Sequence, residues 1–107
     1  MTFQELLAEV RKLDREEARA DLTHYAEIVV GAAALGAVEA LLRAYFGEPV
    51  KANGQLAPPE LAARVRPFGG IQPDQIMYFR QGDIQGEFAC LWPWSNGRSI
   101  TVKVIAA

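Results

Sequence analysis

Glu87-Phe88-Ala89-Cys90-Leu91-Trp92-Pro93-Trp94-Ser95-Asn96-Gly97-Arg98-Ser99-Ile100-Thr101-Val102-Lys103-Val104-Ile105 decides the fold. Two apolar runs, Glu87–Trp92 and Ser99–Ile105, flank an Asn-Gly pair. Asn and Gly tolerate the positive φ that tight hairpin turns demand, so the pair is a strong β-hairpin signal. The second run alternates and is rich in β-branched residues, as a half-buried strand should be. Two registers are open. A two- or four-residue loop pairs Trp92 with Thr101 and Cys90 with Lys103. A three-residue loop with Gly97 in a bulge shifts the pairing by one. It places Phe88, Cys90 and Trp92 on one face with Ile100, Val102 and Val104, and turns Thr101 and Lys103 outward. The bulged register separates apolar from polar more cleanly and is the one expected. Pro93 cannot donate to a ladder and marks an irregularity near the turn.

Working back along the chain, Gln75–Gln81 reads as a strand centred on Ile76-Met77-Tyr78-Phe79, and Gly82–Gly86 turns it into the hairpin. The segment from Glu48 to Asp74 is rich in glycine, proline and polar residues. Within it Pro58–Val65 predicts a short helix, with proline tolerated in the first turn. Upstream, Ala33–Phe46 carries a helical stripe of Leu35, Val38, Leu42 and Tyr45, with Gly47 as its stop. His24–Val30 is β-branched and precedes Gly31, which is costly inside a helix, so it predicts a strand. Thr2-Phe3-Gln4-Glu5 forms a capping box. The stripe Phe3, Leu6, Leu7, Val10 and Leu13 follows it, and the helix is expected to fray toward Ala20.

The order is α-β-α-α-β-β-β. It predicts one α+β domain over residues 1–107: two layers, with a mainly antiparallel four-stranded sheet and helices on one face. The sheet would combine the C-terminal three-strand meander with the strand at His24–Val30.

Half of the 107 residues are hydrophobic, 22% are charged and the net charge is −2. Residues 1–50 carry five Lys/Arg against nine Asp/Glu, and residues 51–107 six against four. This balance disfavours nucleic acid and acidic membranes as partners. One cysteine excludes a disulfide framework and a Cys-rich zinc site, and a lone thiol fits a reducing compartment. The start of the chain lacks the pattern of a signal peptide, and no apolar window approaches the roughly 20 residues that span a bilayer. A cytoplasmic location is expected.

No motif identifies a reaction. Cys90 lies among apolar neighbours and reads as a buried, inert thiol. No carboxylate pair or histidine spacing marks a metal site, and no cofactor is implied. Two functional expectations remain. The leading one is a non-enzymatic protein–protein interaction module acting as a homodimer. Its strands are apolar on both phases, so helices on one face would leave a patch near Met77, Phe79, Leu91 and Ile105 for a second copy. The alternative is a small-molecule or anion-binding protein, or an enzyme, built on the loop 51–74. There Gly69-Gly70 could offer backbone N–H groups, with Lys51, Arg64 and Arg66 nearby, His24 as a base and Trp94 as an aromatic wall. The competing explanation for the second apolar phase is a cover from the loop itself, through Leu56, Leu61, Val65 and Phe68.

Overall fold

In a computed structural model, which describes residues Met1–Ala107, five antiparallel strands form one sheet in the order β1-β2-β5-β4-β3. The first helix, α1 (Phe3–Arg11), starts at the capping box: Thr2 Oγ1 accepts from the Glu5 N–H at 3.1 Å, and Glu5 Oε1 accepts from the Thr2 N–H at 2.9 Å. Its buried face is Leu6, Leu7 and Val10.

The chain does not continue as helix toward Ala20. Glu17–Asp21 is a fifth strand, β1, paired with β2 (Tyr25–Gly31) through a bulge at Arg19. Glu, Ala and Arg favour helices, but propensity is a weak prior. The competing demand is the free edge of β2, whose backbone groups need partners along an otherwise buried strand. The charged residues of β1 suit an outermost strand, because they discourage further pairing. The predicted four-stranded sheet is therefore corrected to five.

The strand expected at His24–Val30 is present as β2. A 3-10 turn, Ala32–Ala34, leads into α2 (Leu35–Phe46), which buries Val38, Leu42 and Tyr45. Gly47 ends it with φ +82° and an N–H donated to Arg43 O. α3 (Pro59–Val65) and a 3-10 turn at Arg66–Phe68 follow. The meander comprises β3 (Ile76–Gln81), β4 (Gly86–Pro93) and β5 (Ser99–Ala106).

The hairpin takes the non-bulged register: Trp92 pairs with Thr101 and Cys90 with Lys103. Ser95–Arg98 forms a four-residue loop, closed by the Trp94 N–H on Ser99 O at 2.9 Å, with Gly97 at φ +70°. The expectation failed because both faces of β5 are buried, so separating polar from apolar residues no longer selects a register.

Helices cover both faces, which corrects the single helical layer. On one face α1 and α2 enclose a cluster including Ala26, Ile28, Val30, Tyr78, Leu91, Val102 and Val104. On the other, α3 and the following loop pack Leu61, Val65 and Phe68 against Met77, Phe88, Cys90 and Ile105. Leu56, also expected in that cover, is 84% exposed. The patch expected to meet a second copy is thereby enclosed. Met77, Leu91 and Ile105 are each 1% exposed or less, and Leu91 lies on the opposite face from the other two. Phe79 is half-buried against Phe88, ring centroids 4.9 Å apart.

Candidate functional site

The basic residues of the 51–74 segment do not converge. Lys51 is 1% exposed, and its ammonium donates to Ala52 O at 3.0 Å, Pro73 O at 2.8 Å and Gln75 O. An ammonium has three donors, so none remains for a ligand. Burial holds its pKa below the usual lysine range. Arg64 donates to Ala107 O at 3.0 Å and covers the Phe79 and Phe88 rings. Arg66 is exposed at the start of the 3-10 turn.

Gly69 and Gly70 do not form an anion cradle. Their N–H groups donate to Arg66 O and Val65 O. Gly69, at φ +107°, presses its backbone onto Trp92: a Cβ there would lie 2.4 Å from Trp92 Cη2 and 2.8 Å from Lys103 Nζ. Glycine is required by both the dihedral and the contact.

Lys103 is the residue the sequence reading placed outside. It is 5% exposed, and its ammonium sits 3.3 Å from the centroid of the Trp92 ring. It donates to Phe68 O and lies 3.8 Å from Glu27 Oε1. Glu27 also accepts from the Tyr25 hydroxyl, and Arg19 Nη1 stands 3.7 Å from its second oxygen. Burial lowers the Lys103 pKa, opposed by Glu27, and raises that of Tyr25, reinforced by its bond to Glu27. Cys90, beside Lys103 on this face, is pushed up to about 12 by burial and stays a thiol. The cluster is closed on itself. It latches the Phe68 loop to the sheet and presents no open charge to a ligand. The strict alternation Ser99, Thr101, Lys103 on a buried strand is the signal that could have revealed it.

The concave sites lie at the two ends of the sheet. At the hairpin end, Leu35, Ile76, Leu91, Pro93, Trp94 and Ile100 line an apolar pocket of about 220 Å³, completed by Ala32, Gly97 and Ser99. It exists because α2 is preceded by alanines, too small to cap the core over Ile100 and Leu91. Its polar neighbours are engaged: Trp94 Nε1 donates to Thr101 Oγ1 at 2.8 Å, and Ser99 Oγ bonds the Glu16 carboxylate at 3.1 Å. The Arg19 guanidinium lies 5.4 Å from the Trp94 ring centroid, fixing that wall from outside. Trp94 is thus brought to a pocket. Exposed His24 lines a polar cleft at the opposite end, whose lining includes none of Lys51, Arg64, Arg66, Gly69 and Gly70, the residues with which it had been grouped. No group of histidine, cysteine and carboxylate side chains is placed to hold a metal ion, and no helix is long and apolar enough to cross a membrane.

No family model, curated protein or solved structure matches the chain.

Proposed function

We propose that this protein binds a small molecule by taking an aromatic ring or short alkyl group into the pocket lined by Trp94, Leu35 and Ile100. The observation that carries this reading is a 220 Å³ pocket with six hydrophobic residues among its nine, opening from the main core. Well-formed apolar concavities are the usual seats of small ligands. An apolar cavity of roughly 150 Å³ suffices for benzene in a protein core. None of the nine lining residues ionises, which supports binding without chemistry at this pocket. The small-molecule reading of the sequence is kept, moved from the 51–74 loop to the hairpin end. Self-association would have to use a surface other than Met77, Leu91 and Ile105, because those side chains are buried within the chain.

The test is titration with benzene and indole, followed by amide shifts of Leu35 and Ile100 and the Trp94 indole signal. Burying six ring carbons yields about 5 kcal/mol before the entropy of association is subtracted, so millimolar affinity is the expected scale. Ala32→Leu, which adds bulk at the lining, should weaken binding at least about tenfold, on the order of the transfer free energy it displaces. Absence of saturable shifts, or shifts unchanged in the folded variant, would overturn the proposal.

A further inference from the structure

The other end of the sheet carries a row of side chains whose spacing follows from strand register. Arg80 pairs with Glu87, Glu87 with Ala106, and the Ala106 N–H donates to His24 O at 2.8 Å. The row two residues inward, Tyr78, Ala89, Val104 and Ala26, faces α1 and α2, so His24, Ala106, Glu87 and Arg80 share that helix-covered side. Ala106, between His24 and Glu87, is too small to fill the gap. The result is a cleft of about 270 Å³ over His24, Ala106 and Glu87, with Phe3 of α1 above it and Asp83 and Ile84 of the β3–β4 turn at its mouth. Ile84 is 94% exposed there.

The charges of this cleft are unequally satisfied. Glu87 Oε1 accepts from the Tyr45 hydroxyl and lies 3.6 Å from Arg80 Nε. Glu87 Oε2 and the Asp83 carboxylate have no hydrogen-bond or ion-pair partner in the chain.

Arg80 shows which chemistry Glu87 accepts. Its guanidinium stands 4.6 Å from the Tyr45 ring centroid while facing the carboxylate. This side of Glu87 opens on a second cavity of about 240 Å³, which shares Phe3, Asp83 and Glu87 with the first. The first cavity offers the same ingredients, an aromatic ring and carboxylate oxygens, with no lysine or arginine among its lining residues. A cation between a carboxylate and a ring face is held by Coulomb attraction and by the ring quadrupole together.

We propose that this cleft is a second binding site, for a small organic cation carrying a primary ammonium or guanidinium group. A volume of 270 Å³ is about nine waters at ~30 Å³ each, which sets the size of the group. Glu87 Oε2 and Asp83 accept its hydrogen bonds, Phe3 covers it, and His24 closes the far side. The site is independent of the apolar pocket. Ile100 and Ala106 mark the two ends, about 20 Å apart along β5.

The experiment is titration with guanidinium chloride and n-butylammonium chloride at low millimolar concentration, at constant ionic strength, read at the His24, Ile84 and Glu87 amides. Saturable shifts with both cations are expected, and none with sodium chloride or sodium acetate. Asp83→Asn, in an exposed turn, should raise the dissociation constant about threefold, the effect of one exposed charge pair. Glu87→Gln should raise it at least about tenfold, the weight of a hydrogen bond to a charged group. Benzene shifts at Leu35 should be untouched in Asp83→Asn, which separates this site from the hairpin pocket. Equal shifts with acetate, no saturation, or an unchanged dissociation constant in folded Asp83→Asn would each overturn the proposal.

Discussion

The sheet is covered twice, by different means. The cluster that α1 and α2 form with the sheet has fifteen buried residues; the one that α3 and its loop form with the other face has five. The helical cover works by area: Leu6, Leu7, Val10, Val38 and Leu42 bury side chains against strand residues. The loop cover works by points. Lys51 ties the strap at Ala52–Gln75 together, Lys103 holds Phe68 O, and Gly69 seats on Trp92. A face closed by points can hold buried charge, because each charge is itself a fastening. The difference teaches that stability should reside in the helical face and local opening in the loop face.

Leu42→Ala tests the first half of that statement. Leu42 is fully buried, and its truncation should cost about 3 kcal/mol in urea unfolding, within the range for core leucines. A loss below about 1 kcal/mol would mean that the helical layer yields and refills the space.

Gly69→Ala tests the second half. The left-handed dihedral alone costs about 1–2 kcal/mol for alanine, and the Cβ would meet Trp92 and Lys103. The expected outcome is a loss of about 2 kcal/mol, with faster amide exchange confined to Leu61–Gly70. Faster exchange spread through β2 and β5 would erase the contrast between the two covers, making the loop part of the cooperative core.

The smallest effect is a slope. Cys90 has a folded pKa near 12, raised by burial, against about 8.5 in an unfolded chain. Below about pH 8.5 both states are protonated and the contribution is fully present. Above it only the unfolded chain ionises, so stability falls by about 1.4 kcal/mol per pH unit toward the folded value. Lys103 has the opposite sign: its lowered pKa makes stability rise with pH up to the unfolded lysine value. Unfolding measured at about pH 8 and 9.5, below the ordinary tyrosine pKa of about 10, should show a shallower alkaline loss in Cys90→Ala than in the parent. Equal slopes, or rapid native labelling by a thiol reagent, would place Cys90 outside the closed face.

Part of this architecture was legible early. The capping box at Thr2 and Glu5, the stop at Gly47 and the turn at Asn96-Gly97 were read correctly, because each is an interaction among residues within four positions of one another. The β2 strand was legible from its β-branched residues and the glycine behind it. The candidate site was mostly illegible. Trp94 and His24 were singled out, yet their partners Leu35, Ile100, Asp83 and Glu87 come from different elements, and a cavity is a property of the space between elements.

By itself, then, the sequence determined what local chemistry can determine: where α1 begins and α2 ends, where the chain reverses at Asn96-Gly97, and that an α+β fold with an antiparallel sheet must form. Tertiary structure decided the rest. Glu17–Asp21 became a strand because the β2 edge needed a partner, against the helical preference of its own residues. Lys103 went inside because a carbonyl 35 residues away, at Phe68, and the Trp92 ring were brought to its ammonium. A lysine is buried only where its charge is met, and groups so far apart in the chain can meet it only after the sheet has formed.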